Sequence, residues 1–233
     1  PRVFADEVWP GQIRQDGLLD EGYARATRWL RPTPHARAAT MVKFKALHTS
    51  SVALATPPVA PPVAVSFDAN VNPAGIEQPA CTLCGDCCGG CNVGAKNTVA
   101  MSYLPDAAAH GAELFTGVTA SHVEKVGGRW RVHVLPSGKP DATPRTVEAD
   151  IVILAAGTLG STELLLRSRE RGLALSPRLG HRFSANGDII AFAYNAKDRV
   201  HAIGIGHPGK PGLDPVGAAV TSEIEIDDPE NLS

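Results

Sequence analysis

Ala149-Asp150-Ile151-Val152-Ile153-Leu154-Ala155-Ala156-Gly157-Thr158-Leu159-Gly160-Ser161-Thr162-Glu163-Leu164-Leu165-Leu166-Arg167-Ser168-Arg169 is the stretch on which the fold turns. Val147 to Leu154 is β-branched and apolar, with Glu148 and Asp150 as its charges. Such a run predicts a strand buried on both faces, as in a parallel sheet. It ends in Ala155, Ala156 and Gly157, which carry almost no side chain. Thr158 or Ser161 then caps a helix bearing Leu164, Leu165 and Leu166. Strand, small-residue turn and helix form the α/β layout in which a backbone approaches a ligand closely. A tightly packed βα turn without a ligand fits the same residues.

Outward from this stretch, the pattern changes on both sides. Val123–Val126 and Trp130–Leu135 alternate apolar and polar across Gly127-Gly128, which predicts a hairpin. A short strand is expected at Glu113–Val118, and a polar turn region at Pro136–Pro144. After the helix, Gly172, Pro177 and Gly180 mark a break. Residues 189–194, 201–205 and 216–226 then read as successive strands of an antiparallel sheet.

Residues 1 to about 50 read as helical and amphipathic, with Tyr23, Ala26, Trp29 and Leu30 at helical spacing, then Phe44 and Leu47. Pro32 and Pro34 separate two helical segments. Trp9 and Trp29 read as core aromatics. Residues 52–66 are rich in Ala, Val and Pro, and fit either a disordered linker or an extended segment along a sheet edge. Asn70 to Pro79 is turn chemistry. A helix is expected between Thr98 and Gly111.

The five cysteines, Cys81, Cys84, Cys87, Cys88 and Cys91, all fall in one short block. Secreted disulfide frameworks spread their cysteines along the chain, so this clustering favours reduced thiols or a metal centre. Cys81, Cys84, Cys87 and Cys91 have the C-x2-C-x2-C-x3-C spacing of a ferredoxin run, although Asn92 stands where Pro usually follows. One reading makes these four the ligands of an iron–sulfur cluster in an electron-transfer protein. The other leaves them as packed or redox-sensitive thiols.

Composition limits the classes further. The chain has 233 residues, 43% hydrophobic, enough for one large domain or two small ones. A net charge of −2 gives no sign of nucleic-acid binding. No apolar run approaches a membrane span. The first residues do not resemble a signal peptide, and Pro1 stands in place of an initiator Met. Together with the abrupt end, this reads as a piece of a longer protein, which leaves localisation open. Clustered reduced cysteines favour a bacterial cytoplasm.

Three blocks in order carry a family likeness: Gly94-Ala95-Lys96-Asn97-Thr98 before a helix containing Tyr103-Leu104, Ala155 to Leu165 after the apolar strand, and Asn186-Gly187-Asp188 beyond it. They resemble the glucose–methanol–choline (GMC) oxidoreductases, most closely the bacterial cholesterol-oxidase-like branch. The likeness covers residues 80 to 195. The family's Ser-Gly-x-Gly ending departs here to Ser168-Arg169-Glu170-Arg171. The resemblance implies α/β architecture: part of an FAD-binding Rossmann-like domain over 80–172, a helical and extended part of a substrate domain over 1–79, and its antiparallel sheet over 173–233. It implies FAD as cofactor and oxidation of a hydrophobic, sterol-like alcohol by hydride transfer to the flavin. Oxygen or another acceptor then takes the electrons.

By position, Val123 would touch the adenine through its backbone, and Ala155, Ala156 and Gly157 would lie against the diphosphate-ribose side. Asn186 and Gly187 would turn the chain into the substrate domain. The family's G-x-G-x-x-G fingerprint and the block carrying its catalytic His and partner have no counterpart in this sequence. No catalytic residue is therefore assigned, and the chain alone is expected to be inactive.

Overall fold

The computed structural model describes residues 4, 7–15, 17–185, 187–192, 194, 197–198, 200–201 and 215–226. The chain divides into two compact units, Pro1–Ala112 with Tyr194–Ser233, and Glu113–Ala193.

The first unit carries helices α1 (Gly11–Gln15), α2 (Leu18–Leu30) and α3 (Val42–Ser51). Asp20 and Glu21 in the first turn of α2 and Arg28 in its last complement the helix dipole. The helix stops at Arg31, which takes a left-handed φ of 46° and returns its N–H to the Thr27 carbonyl. The Arg31 guanidinium then reaches Asn70 Oδ1 at 3.0 Å and the Val71 carbonyl at 3.1 Å, tying the helix end to β1 (Asn70–Val71). The Trp29 ring lies 5.4 Å from that of Tyr103, at the start of α4 (Tyr103–Ala109). Trp9 is half-buried and packs on Phe4, with ring centres 5.1 Å apart.

The Ala/Val/Pro segment is extended, not a loose linker. It makes isolated bridges from Val59 to Glu223, Val63 to Thr33 and Val65 to Lys96. Strand β1 turns back to β2 (Glu77–Gln78) through buried Asn72, whose Oδ1 accepts the N–H groups of Ala74 and Ile76. The side chain of Asn97 crosses the unit to the Leu30 carbonyl at 2.7 Å.

The second unit is a three-stranded antiparallel sheet in the order β3-β4-β5, from β3 (Val118–Val126), β4 (Arg129–Pro136) and β5 (Arg145–Ala149). The β3–β4 turn is the one expected: Gly127 and Gly128 both take positive φ, 59° and 88°, which matches a primed two-residue turn. A bulge between Ala120 and His122 inserts Ser121 and brings His122 opposite His133. Helix α5 (Gly157–Glu170) packs on β3. Leu164 and Ser168, one turn apart, are buried, as is Val123 on β3.

Several strand expectations fail. Strand β5 begins and ends before the apolar centre of the predicted run and pairs with β4 alone. Residues 151–155 carry no strand assignment, and Ile151 and Ile153 are 79% and 85% exposed. An apolar run records a need for burial, while a strand requires a neighbour to supply hydrogen bonds. No strand among the described residues lies beside 151–155. Residues 113–117 are likewise irregular. The described parts of 189–194 and 216–226 carry no strand, apart from the Glu223 bridge. The expected strand at 201–205 lies almost wholly outside the described residues.

Candidate functional site

The turn at Ala155-Ala156-Gly157 is exposed and bare of side chains. Gly157 has φ +74°, and a Cβ built there would meet nothing within 4 Å. The turn is held from the helix side. Ser161 Oγ accepts the Ala156 N–H at 2.9 Å and lies 3.5 Å from the Leu154 carbonyl. Of the two capping residues open in the sequence, Ser161 is the one that reaches back, while Thr158 gives its carbonyl to the Thr162 hydroxyl at 2.9 Å. Gly160 lets that first turn close, since a Cβ there would stand 3.2 Å from the Ala156 Cβ.

Beside the helix start lies a depression of about 570 Å³ lined by Thr158, Leu159, Thr162, Leu166, His181 and Phe183, among others. Sequence spacing gave no sign of it, because it joins a helix face to a loop about twenty residues away. Gly187 takes φ +71°, as a turn needs, and Asn186 lies outside the described residues.

Val123 sits apart from this turn in the same unit. It is 2% exposed, and its N–H donates to Ser168 Oγ at 2.9 Å. Ser168 in turn donates to the Leu164 carbonyl at 2.8 Å. Nearby on the sheet, the rings of His122 and His133 stack 4.0 Å apart. His133 Nε2 lies 2.8 Å from Glu124 Oε1, and Arg131 bridges Glu124 and Glu148. Burial first, then the neighbouring His133 and Arg171, push His122 below the usual imidazole range. The hydrogen bond from His133 is the main cause lowering the Glu124 carboxyl.

The cysteine block belongs to the first unit. All five thiols are free. Cys81, Cys84, Cys87 and Cys91 line one cavity of about 10 Å³ with Val65 and Lys96. That space matches a single water-sized sphere, far less than an iron–sulfur cube needs. Among the described residues, no three His, Cys, Asp or Glu side chains are grouped to hold a metal ion. The ferredoxin spacing places the four cysteines along one small cavity, with no three of the described residues grouped as metal ligands. Burial raises the Cys81 thiol. Burial also acts upward on Cys91, but the backbone N–H groups of Val93, Gly94, Ala95 and Lys96 point at its sulfur and outweigh it, so that thiol is lowered.

Residues 65–185 match the GMC oxidoreductase family model, which spans the cysteine loop, the hairpin, the bare turn and α5. The chain belongs to the GMC oxidoreductase family. It is 36% identical over 141 residues to a cholesterol oxidase of Mycobacterium tuberculosis strain H37Rv, covering 57% of this chain and 24% of that protein. A cholesterol oxidase of Acinetobacter baumannii is 29% identical over 169 residues, 69% of this chain and 28% of its own length. An uncharacterized GMC-type oxidoreductase of Mycobacterium tuberculosis is 36% identical over 108 residues, 46% of this chain and 16% of its own. No solved structure matches. The chain spans about a quarter of the length of the cholesterol oxidases it matches. No described helix of this GMC family member is long and apolar enough to cross a membrane.

Proposed function

We propose that this chain supplies the flavin-facing turn of an FAD-dependent oxidoreductase that oxidises a CH–OH group of a hydrophobic, sterol-like alcohol. The observation that carries the reading is the exposed turn at Ala155-Ala156-Gly157, with open space at a positive-φ glycine, opening a 14-residue helix. The names of the two cholesterol oxidases support the substrate class. Bound FAD supplies the hydride acceptor, and oxygen or another acceptor is its oxidant.

Each residue's contribution follows from its surroundings. Ala155, Ala156 and Gly157 let the diphosphate-ribose approach the backbone, because no side chain stands in the way. The first N–H groups of α5 favour the negative charge of the diphosphate. Ser161 holds the turn's shape from within the helix. The N–H of Val123 is committed to Ser168, so its backbone meets the adenine through the carbonyl, which points to the same strand edge. In this reading residues 80–172 belong to a Rossmann-like FAD domain. The exposed apolar residues Ile151 and Ile153 then find their burial against strands from elsewhere in the polypeptide. Residues 1–79 and 173–233 belong to the substrate domain.

The test uses the full-length enzyme. FAD gives two visible absorption bands after purification, and sterol turnover follows their bleaching. Gly157→Val places a branched side chain where φ is +74° and beside the cofactor. Its flavin occupancy should fall more than the melting temperature of the apo form. Normal flavin content in that variant would remove the assignment.

A further inference from the structure

Three segments of the first unit meet at a cavity of about 330 Å³: the entry to α3, the loop at Leu83 and the returning chain at Pro215. Its walls are held in place from behind. A 3₁₀ turn over Ala38–Thr40 leads into α3, with the Thr40 N–H on the Arg37 carbonyl at 3.0 Å and the Met41 N–H on the Ala38 carbonyl at 2.9 Å. Ala38 and Met41 are buried. The Met41 thioether lies so close to Gly217 that a Cβ there would overlap it, and the Gly217 N–H donates to the Leu83 carbonyl at 2.9 Å. Leu83 itself takes a left-handed φ of 58°, a conformation costly for a bulky residue, so this wall is shaped at some expense.

The cations around this place are not equivalent. The Lys43 ammonium is committed to the Ala218 and Ala219 carbonyls. Arg25, Arg129, Arg131 and Arg167 elsewhere each face a carboxylate. Arg37 and Lys45 both line the cavity, and among the described residues neither side chain has a hydrogen bond or an ion pair. No Asp or Glu stands among the described lining residues. The Thr40 hydroxyl gives its proton to the Arg37 carbonyl at 2.8 Å, so the two cations are the side-chain donors left for a ligand. Two positive charges at one cavity, with no carboxylate opposite, attract an anion. The guanidinium fork matches a pair of oxygens in one plane. The rest of the lining, Met41, Val42, Leu83 and Pro215, is apolar, which favours an anion carrying hydrocarbon over a fully hydrated inorganic one.

We propose that this cavity binds a small organic carboxylate, its oxygens held by Arg37 and Lys45 and its hydrocarbon part lying on Met41, Val42, Leu83 and Pro215. The volume is at the small end of the range for ligand cavities, roughly 300–1,000 Å³, which suits a short-chain acid. All of these residues belong to the first unit, so the site does not depend on the flavin-facing turn.

The test uses the full-length protein and sodium hexanoate, with neutral hexanamide and inorganic phosphate as comparison probes. Phenylglyoxal labelling of arginines, read peptide by peptide, needs no variant and so does not depend on a mutant folding. Saturating hexanoate should slow modification of Arg37 by about fivefold or more and leave Arg28 within about twofold. Hexanamide and phosphate at the same concentration should each protect Arg37 by less than about twofold. A ligand-observed NMR titration then gives affinities. Arg37→Gln and Lys45→Gln should each weaken hexanoate binding by about tenfold, the loss of one charge-assisted hydrogen bond. Lys139→Gln, at an exposed residue of the second unit, should leave it within about twofold. Equal protection by hexanamide would mean an apolar crevice only, and equal protection by phosphate a general attraction for anions; either overturns the proposal. So does an unprotected Arg37, or an unchanged hexanoate affinity in either cavity variant.

Discussion

Ser168 Oγ lies 2.9 Å from the Val123 nitrogen and 2.8 Å from the Leu164 carbonyl, so one hydroxyl joins the edge of the sheet to the helix that covers it. Both residues are almost wholly buried, Ser168 at 0% exposure and Val123 at 2%. An edge-strand N–H in that position has no ladder partner, and the hydroxyl is what satisfies it. Ser168→Ala should therefore cost about 1–3 kcal/mol, the penalty for a buried donor left alone. Chemical denaturation of wild type and variant measures it. A loss below about 0.5 kcal/mol would mean that the edge N–H finds another partner.

Gly217 is a packing glycine in the other unit. It sits at φ +90°, and a Cβ there would overlap the Met41 thioether and stand 3.0 Å from Thr221 Oγ1. Met41 is itself buried. Gly217→Ala should destabilise by about 2–4 kcal/mol, from left-handed strain and overpacking together. Adding Met41→Ala should recover part of the loss if the clash dominates. No recovery in the double variant would assign the cost to the backbone instead.

The hairpin turn has no such clash, since a Cβ at Gly128 meets nothing within 4 Å. Only its φ of 88° resists substitution. Gly128→Ala should cost about 1–2 kcal/mol, and Gly128→Asn less, because Asn tolerates the left-handed region. Thermal unfolding of the two variants side by side tests the order.

The stacked histidines set a pH dependence. Burial, with His133, Arg171 and Arg167 opposing protonation and Glu124 favouring it, leaves the folded-state value for His122 below its ordinary 6.5. The unfolded chain thus binds its proton before the folded one. Between pH 6.5 and the lower folded value, stability falls as pH falls. Glu124 acts in the same direction at lower pH: its folded value lies below 4.5, so its contribution is present above that and lost on further acidification. Melting temperature should drop in two steps from neutral pH downward, and His122→Gln should remove the first. A flat profile between pH 7 and 5 would contradict the assignment.

The parts legible in the sequence were those whose partners lie nearby along the chain. Gly127-Gly128 announces its hairpin because the turn residues sit between the strands they join. Four cysteines spaced for one small loop do line one cavity, since glycines between them make the loop fold. The spacing did not reveal how little room they leave. Ile151 and Ile153 read as buried because they stand in a continuous β-branched, apolar run, yet both are exposed, since the run itself encodes no partner to cover it. The Ser168–Val123 bond spans elements far apart in sequence, and a serine within a helix carries no mark of it. The described parts of 189–194 and 216–226 read as strands, but a strand-like sequence alone supplies no ladder partner.

The bridge between Val59 and Glu223 has a consequence for synthesis. The first unit is discontinuous, with its final segment following the whole of the second. As the chain leaves the ribosome, residues 113–193 are complete while the bridge's far end is still being made. Until then Val59 lacks its partner, while Val63 and Val65 of the same segment can already pair with Thr33 and Lys96, so the open strand edge is confined to the start of the segment. Slowing translation just before residue 223 would lengthen that exposure, while the locally closed hairpin of β3 and β4 would already be formed.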